Sequence, residues 1–413
     1  MNGMIVRLLC VVRPATPVIT ALLLSGVAQA ASDTHDRLPP SPAIQELRRH
    51  FNDAGINALT FHSIDSIFET VPVKAGGTVW PLARAETHPD FTYDFGGKSH
   101  AFEEIFDRNY TNALLIIKND RIVFERYRNY TKPSTHFLSM SMSKSLTSIL
   151  VGAALEDGYI KSLDDQIVAY VPALRGTAYD GVTIRDALLM KSGVDQEDNY
   201  QPEPGSEMAK LREDSMILNT VPSLKQAFLV KRADEPGKTF RYLTLNTAVL
   251  GQVIEKAVGK PIAQYMSERI WKPLGAEADA FWMADGPPGV GTAMNGMGYN
   301  ATMRDYARVG LMMLHEGKAN GRRIIPAAWV KESTVPVGPE PASPKEDQGY
   351  QYQWWTLVNS NAYMAIGLQG QFIYIDPDTA TVVVKLSYFP LSNSDAYKES
   401  EAFFRAVSAW KPK

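Results

Sequence analysis

The residue pair with the clearest chemical potential is Ser141 and Lys144, in the stretch HFLSMSMSKSLTSIL that covers residues 136 to 150. The two residues stand three apart at the start of a predicted helix, so their side chains share one face. A serine hydroxyl is a weak nucleophile unless a base lies within hydrogen-bond reach. A lysine one turn along can be that base if burial lowers its pKa and leaves the amine neutral. The helix N-terminus would also present backbone N–H groups to a developing oxyanion.

The spacing alone does not identify a catalytic site, because Ser408 and Lys411 repeat it at the end of the chain. A lone Ser-x-x-Lys pattern is more often a solvated helix face. Other serines of the stretch lack a lysine three residues on and are interpreted as helix-start or packing positions: Ser139, Ser143, Ser145 and Ser148.

Two downstream segments separate the first pair from the second. In PGKTFRYLTLNTAVLGQVIE, Tyr242 stands just before a predicted helix, where a phenol could share protons with Lys144 and with a leaving group. In GLQGQFIYID, Gly370 stands at the edge of a predicted strand. The backbone N–H of the next residue, Gln371, could form the second arm of an oxyanion hole.

The sequence offers little support for other chemistry. The seven histidines show no metal-ligand spacing, and neither a Gly-x-Ser-x-Gly elbow nor a phosphate-binding glycine loop is present. The acidic pieces SLDDQ and DQEDNY lack calcium-loop spacing and are interpreted as solvated turns. A formal net charge of −3 gives no electrostatic case for nucleic acid or for an anionic membrane surface.

The first thirty residues predict a cleavable signal peptide. They carry Arg7 and Arg13, then an apolar run, and they end on small residues that fit a cut after Ala30. An uncleaved N-terminal anchor is the alternative. The one cysteine, Cys10, lies in this segment, so the mature chain would have no disulfide, no thiol chemistry and no cysteine metal site. We therefore expect a periplasmic or secreted protein without stable membrane insertion after cleavage.

Strand patterns lie at both ends of the chain and helix patterns lie between them. Residues 112–130 predict a β-hairpin, residues 362–388 predict three short strands, and residues 394–410 predict an amphipathic helix. Residues 165–290 are helix-leaning, whereas residues 45–105 give no element pattern. The prediction is an α+β fold, in which distant segments complete one antiparallel sheet flanked by helices, with an inserted helical subdomain.

The motifs together resemble the serine β-lactamase and penicillin-binding protein superfamily. The resemblance rests on Ser-x-x-Lys opening an apolar helix, on FRYLTLNTAVLG, and on Gly-x-x-Gly leading into a hairpin. Within the superfamily, SMSKSLTSILVGAALEDGYI, ARVGLMML, QWW and GLQGQFIYIDPDTATVVVKLS are most similar to the 6-aminohexanoate-dimer hydrolase and esterase branch. The resemblance covers roughly residues 105 to 413, so residues 31–104 are set apart as an N-terminal extension of uncertain structure.

The resemblance implies a role for each matching residue. Ser141 would be the acylated nucleophile, Lys144 its base and Tyr242 the tyrosine of the second motif. The third motif would hold Gln369, Gly370 and Gln371, and the N–H groups of Ser141 and Gln371 would face the oxyanion. Three aromatic residues are also candidates: Tyr200 as a pocket tyrosine, and Trp354 or Trp355 as a pocket wall, with core packing an equal possibility for each tryptophan.

Two departures from the family pattern bear on the substrate. The second motif reads Tyr242-Leu243-Thr244 in place of Tyr-x-Asn, and the third reads Leu368-Gln369-Gly370 in place of Lys-Thr-Gly. The missing lysine removes the cation that would bind a β-lactam carboxylate. The missing asparagine removes an amide donor, so both departures argue against an efficient β-lactamase.

The sequence therefore predicts a serine hydrolase that cleaves small esters or linear amides through an acyl-enzyme, without a metal or organic cofactor. One alternative is a D-amino-acid peptidase or weak class C-like β-lactamase acting on peptidoglycan-like or β-lactam substrates. Another is a non-catalytic, penicillin-recognising binding domain, which would be expected to have a broken Ser-Lys-Tyr trio.

Overall fold

A computed structural model describes residues 37–198, 203–340 and 347–412. The predicted signal segment 1–30 and the pocket candidate Tyr200 lie outside the described residues. The strands are β1 (Thr70–Val73), β2 (Ala83–Arg84), β3 (Thr92–Phe95), β4 (Lys98–Ala101), β5 (Thr111–Lys118), β6 (Arg121–Tyr127), β7 (His136–Leu138), β8 (Ala280–Met283), β9 (Tyr299–Thr302), β10 (Lys318–Ala319), β11 (Arg322–Arg323), β12 (Gln348–Gln351), β13 (Trp354–Leu357), β14 (Tyr363–Gly367), β15 (Gln371–Asp376) and β16 (Thr381–Ser387).

The α-helices lie mostly between the two groups of strands that build the large sheet. They are α1 (Pro42–His50), α2 (Asn57–Thr60), α3 (Glu104–Arg108), α4 (Met142–Glu156), α5 (Ile167–Tyr170), α6 (Ile184–Leu188), α7 (Glu207–Arg212), α8 (Thr244–Val258), α9 (Ile262–Met266), α10 (Lys272–Leu274), α11 (Met303–Leu314), α12 (Ala327–Thr334) and α13 (Asp395–Ala409). Short 3₁₀ and π segments connect several of them. The described part of the chain has no helix with the length and apolar character needed to cross a membrane.

The main sheet has eight strands in the order β12-β13-β14-β15-β16-β5-β6-β2. The pairs are antiparallel from β12 to β6, and β2 joins the edge in parallel. The pairing of β16 with β5 joins the C-terminal strands to the predicted hairpin near residue 120. This arrangement confirms the α+β fold predicted from the sequence, with one sheet completed by distant segments.

Alternate side chains of the central strands pack on opposite faces of the sheet, as the two-residue period of a strand requires. Leu115 and Ile117 of β5 face a core shared with α4, α8 and α11. Leu114 and Ile116 face a second core that contains Phe404 of α13. The apolar runs of β5 and β16 lack a polar face because helices cover both sides of the sheet.

Helix α4, which carries Lys144, is the central helix of the larger core. All its residues from Met142 to Ala154 are buried, so other parts of the protein cover it on every side. It packs against α8 and against β14. A Cβ on Gly152 would lie 2.5 Å from the Trp329 ring, which shows how closely α12 approaches. A helix held in this way presents its first turn in a fixed position.

The N-terminal extension is folded and joins both sheets. β1 pairs with β8 at one edge of a second sheet, whose order is β1-β8-β9-β7, and β2 pairs with β6 in the main sheet. These strands contain two to four residues, and their partners lie as far as 213 positions away in the sequence, as with Thr70 and Met283. Strands this short leave too weak a periodic pattern for the sequence to predict them.

Candidate active site

Ser141 stands at the N-terminus of α4, after the short strand β7. The residue before it, Met140, has a φ of 45°, a conformation that residues other than glycine rarely adopt. The backbone N–H of Ser139 donates to the Tyr299 carbonyl at 2.7 Å, which ties this turn to the second sheet. The turn therefore leaves Ser141 partly exposed, whereas Lys144 on the next turn of the helix is buried.

Lys144 is 1% exposed and lies among acceptors. Its Nζ donates to Ser141 Oγ at 2.9 Å, to Thr244 Oγ1 at 2.7 Å and to the Gly296 carbonyl at 2.9 Å. Burial lowers the pKa of Lys144 to about 8, and the negative charge of Asp198 acts in the opposite direction. A substantial fraction of the side chain is therefore a neutral amine at pH 8.

The hydrogen bonds around Thr244 decide where the lone pair of a neutral Lys144 points. The Thr244 hydroxyl donates its one proton to the Asp198 carboxylate, so its oxygen can only accept from Lys144. The Gly296 carbonyl can only accept as well. A neutral amine has two N–H groups, which these two acceptors occupy. Its lone pair remains for the proton of Ser141, so this arrangement can deprotonate the serine.

Tyr242 completes the group on the other side of Lys144. The Lys144 Nζ lies 4.9 Å from the centre of the Tyr242 ring, and the phenol is hydrogen-bonded with Ser141. Burial raises the pKa of the Tyr242 phenol well above its usual value, and the charge of Asp198 acts in the same direction. The phenol is therefore protonated at neutral pH and can donate a proton. Its ring packs 5.6 Å from that of Trp355, which fixes its orientation.

The third motif forms the tight turn between β14 and β15. Gln369 has a φ of 58° and Gly370 a φ of 94°. A Cβ on Gly370 would lie 2.3 Å from the Phe389 ring, so both its backbone conformation and its surroundings require glycine. The backbone N–H of Gln369 donates to the Tyr397 hydroxyl at 2.8 Å. Gln371 turns its side chain away, with Nε2 donating to the Ser387 carbonyl at 2.7 Å.

The β14 strand passes directly beside the serine turn. A Cβ on Gly367 would lie 2.2 Å from the Ser139 carbonyl oxygen and 3.1 Å from the Met140 side chain. This close approach brings the start of β15, at Gln371, to the N-terminus of α4. Backbone N–H groups at such a junction can stabilise an oxyanion on a carbonyl carbon that the serine attacks.

A cavity of about 540 Å³ opens onto Ser141. Its walls are largely apolar, and its polar lining is more acidic than basic, with Arg212 the single cation among the described lining residues. The apolar lining includes Met140, Leu211, Met216, Leu245, Met294, Met297 and Leu368, and the acidic lining comprises Glu197, Asp198 and Glu203. The cavity suits an apolar chain next to the reacting carbonyl.

Comparisons with known proteins identify the family of this chain. The sequence profile described as Beta-lactamase matches residues 106–404. The chain is 33% identical over 304 residues to the 6-aminohexanoate-dimer hydrolase of Paenarthrobacter ureafaciens, covering 70% of this chain and 75% of that protein. The chain belongs to the β-lactamase family. The relatives' names confirm the predicted enzyme class, a serine hydrolase of this family, and the predicted resemblance to the 6-aminohexanoate-dimer hydrolase branch.

Solved structures of other proteins show the same fold. A Bacillus anthracis protein whose proposed activity is 6-aminohexanoate-dimer hydrolase superposes with a TM-score of 0.77 at 25% identity, covering 87% of this chain and 95% of that one. EstCE1, described as a hydrolase with promiscuous acyltransferase activity, superposes with a TM-score of 0.61 at 19% identity, covering 74% of this chain and 96% of that one.

The structure brings together most, but not all, of the residues that the family resemblance indicated. Ser141, Lys144 and Tyr242 contact one another, and the third-motif turn lies beside them. Neither tryptophan candidate lines the cavity at Ser141. Trp354 is 0% exposed and packs edge-on against Tyr363, while Trp355 supports Tyr242 from behind.

The sequence did not indicate that Thr244 and Asp198 act on Lys144. Thr244 stands where the family's Tyr-x-Asn motif has asparagine. A polar residue at that position was the one sequence feature that could have indicated a role in the site. Asp198 lies in DQEDNY, which was interpreted as a solvated turn. Its role depends on the hydrogen bonds that its carboxylate accepts from the Thr244 backbone, at 2.8 Å, and from the Thr244 hydroxyl.

Proposed function

We propose that the protein hydrolyses small esters or linear amides through an acyl-enzyme on Ser141. The observation that carries the proposal is the hydrogen-bond pattern of Lys144, whose two acceptor-only partners leave the lone pair of a neutral amine for the serine proton. A pKa of about 8 for Lys144 makes that amine accessible near neutral pH.

In acylation, Ser141 Oγ attacks the substrate carbonyl carbon and Lys144 Nζ takes its proton. The backbone N–H groups of Ser141 and Gln371 bind the oxyanion of the tetrahedral intermediate. As the bond to the leaving group breaks, the Tyr242 hydroxyl gives its proton to the departing oxygen or nitrogen. The Lys144 ammonium then returns a proton to Tyr242, which restores both groups.

In deacylation, a water molecule replaces the leaving group and follows the same path. Lys144 takes a proton from the water as it attacks the acyl carbonyl carbon, and the same N–H groups bind the oxyanion. When the bond from Ser141 Oγ to the acyl carbon breaks, Oγ recovers its proton through Tyr242 or Lys144. The products are a carboxylic acid and the free serine.

The cavity favours an uncharged or cationic substrate over one recognised through a carboxylate. Its apolar walls suit an aliphatic chain, and Leu368 supplies no cation where other family members have lysine. The substrate in the name of the Paenarthrobacter relative, a 6-aminohexanoate dimer, contains aliphatic chains of the kind that these walls suit. The β-lactamase and D-amino-acid peptidase alternatives are less favoured, because Leu368 replaces the third-motif lysine that would bind the carboxylate of their substrates.

The test is intact-mass detection of an acyl adduct after brief exposure to aliphatic esters, linear amides and β-lactams. We expect an adduct with esters or amides in the wild type and none in Ser141→Ala. Ser408→Ala is the matched control, because Ser408 belongs to the second Ser-x-x-Lys pattern and its hydroxyl bonds only Tyr374 among the described residues. An adduct that persists in Ser141→Ala would exclude Ser141 as the nucleophile.

We also propose that the protein acts after export, on the basis of the N-terminal sequence alone. Residues 1–30 have the charge, the apolar run and the small-residue end of a signal peptide. Expression in a Gram-negative host should give periplasmic protein that begins at Ala31 by N-terminal sequencing. Cytoplasmic protein that retains residues 1–30 would contradict the proposal.

A further inference from the structure

The N-terminal extension supplies part of the cavity wall. Phe51 and Asn52 line the cavity together with Ser141, although they precede it by some ninety positions in the chain. Phe51 belongs to an apolar cluster with Leu138 and Met140, which flank the serine turn. The segment is thus in direct contact with the catalytic turn.

The same segment is attached to both sides of the cavity. On the sheet side, the Leu138 backbone N–H donates to the Phe61 carbonyl at 2.9 Å. On the helical side, buried Arg48 donates to the Ile217 carbonyl at 3.1 Å, and Arg49 forms an ion pair with Glu213 at 2.5 Å. Attachment at both sides holds the segment, and Asn52 within it, at one end of the cavity.

Gln369 of the third motif fixes the position of Asn52. Its Nε2 donates to the Asn52 carbonyl at 2.9 Å, and the Gln369 side chain is 1% exposed. The other amide atom of Gln369, Oε1, is buried without a hydrogen-bond partner among the described residues. Burying an unpaired acceptor is unfavourable for stability, so this side chain is a poor choice for packing alone.

Asn52 has an uncommitted amide. Its side chain is partly exposed, and no hydrogen bond joins that amide to any residue in the described part of the chain. An amide offers two N–H donors and one carbonyl acceptor and carries no charge. Such a group is complementary to a carbonyl or amide of a ligand and carries no positive charge to balance that of a carboxylate.

We propose that Asn52 is a substrate-binding residue that recognises a second carbonyl or amide group of the substrate, beyond the scissile bond, and that Gln369 is the residue that positions it. The proposal rests on the proposed ester or amide hydrolysis at Ser141. It narrows the substrate class to linear molecules that carry a further uncharged carbonyl group. It also gives Gln369, the middle residue of the third motif, a role in substrate recognition.

The test compares three esters: p-nitrophenyl butanoate, p-nitrophenyl γ-acetamidobutanoate and p-acetamidophenyl butanoate. The first lacks a second amide, the second carries one on the acyl side, and the third carries one on the leaving-group side. The variants are Asn52→Leu, which keeps the size of the side chain, and Gln369→Met, which removes the bond to Asn52. Asp53→Ala is the control, because Asp53 is the next residue, is exposed and bonds only His50 through its side chain among the described residues.

We expect Asn52→Leu to lower kcat/KM about tenfold for at least one amide-bearing ester, mainly through KM, and to leave the plain butanoate within about twofold. Gln369→Met should lower the same ester's kcat/KM, and the double variant should be no worse than Asn52→Leu, because both changes remove one contact. Equal effects on all three esters would overturn the role of Asn52. A selective loss in Asn52→Leu with none in Gln369→Met would overturn the positioning role.

A second readout separates this proposal from the hydrolysis on which it rests. N-acetyl-γ-aminobutanamide should slow labelling of Ser141 by a fluorophosphonate in the wild type and in Asp53→Ala, but not in Asn52→Leu. That protection requires no turnover of any ester. If Ser141 is labelled in the wild type but the protein hydrolyses none of the esters, the proposed function fails. The protection of Ser141 from labelling would still decide the role of Asn52.

Discussion

The hydroxyl of Thr244 lies 2.7 Å from Lys144 Nζ and must accept from it, because its own proton is donated to Asp198. Replacing Thr244 with valine keeps the shape of the side chain but removes the acceptor. The amine can then rotate its lone pair away from Ser141, so we expect kcat/KM to fall at least tenfold, about the effect of one lost hydrogen bond. Thr244→Ser keeps the hydroxyl and should keep most of the activity. Steady-state ester hydrolysis measures both, and equal loss in the two variants would contradict this role.

The pH dependence of kcat/KM should report the protonation of Lys144. A lysine that acts as a base must be neutral, so activity should rise with pH to a midpoint near the Lys144 pKa of about 8. The charge of Asp198 raises that pKa, so Asp198→Asn should move the midpoint to lower pH. Glu197→Gln alters another carboxylate of the cavity lining and should leave the midpoint in place. A midpoint unchanged in Asp198→Asn would exclude this coupling.

Removing the phenol of Tyr242 should matter most for poor leaving groups. Tyr242→Phe keeps the ring that packs on Trp355 but cannot protonate a departing amine or alkoxide. We expect turnover of a linear amide to fall about a hundredfold or more, while p-nitrophenyl esters, whose leaving group needs no proton, change far less. Parallel kcat measurements on the two substrates check this, and an equal loss on both would rule out a role as the acid.

Gly370 should tolerate no side chain. In Gly370→Ala the new Cβ would meet Phe389 at 2.3 Å with a φ of 94°, so steric overlap and backbone strain combine. We expect the free energy of unfolding to fall by about 3 kcal/mol or more. Gly158→Ala is the matched control, because Gly158 has a φ of 72° but open space around it, and should cost only about 1 kcal/mol. Chemical denaturation of both variants provides the comparison.

Lys385 on β16 should make stability pH-dependent. It is 0% exposed, and burial lowers its pKa from 10.5 to about 7. Between those two values the unfolded chain binds the additional proton, so this contribution to the free energy of unfolding rises with pH and is least favourable below pH 7. Lys385→Met should therefore raise the melting temperature at pH 7, and the gain should shrink as the pH approaches 10. Exposed Lys411→Met should change little at any pH, and a gain for Lys385→Met that is constant with pH would contradict the assignment.

The parts of the site that depend on local spacing could be predicted from the sequence, and the parts that depend on tertiary contacts could not. Ser141 and Lys144 are neighbours because a helix places residues three apart on one face. Helix α13 ends at Ala409, before Lys411, so the second Ser-x-x-Lys pattern does not form such a pair. The contact between Asn52 and Gln369 joins residues 317 positions apart, and no local pattern encodes it.

The fold shows the same division. The hairpin β5–β6 and the strands β14 to β16 each have a strong apolar pattern and a turn signal. Strands β1 and β2 are short and take their position from partners elsewhere in the chain. The sequence also could not show whether Trp354 or Trp355 lines the cavity. Adjacent strand residues face opposite sides of the sheet, and each tryptophan is buried in a different core.

The pairing of β5 with β16 also determines when the enzyme can acquire activity. Ribosomes deliver the chain from its N-terminus, so the serine, the lysine and the tyrosine all emerge before the strand that completes the centre of the sheet. The third-motif turn at Gly370 and the Asn52 contact with Gln369 likewise wait until about nine tenths of the polypeptide has been made. A nascent chain is therefore inactive until synthesis is nearly complete. The many contacts between distant residues also favour slow folding once the chain is released.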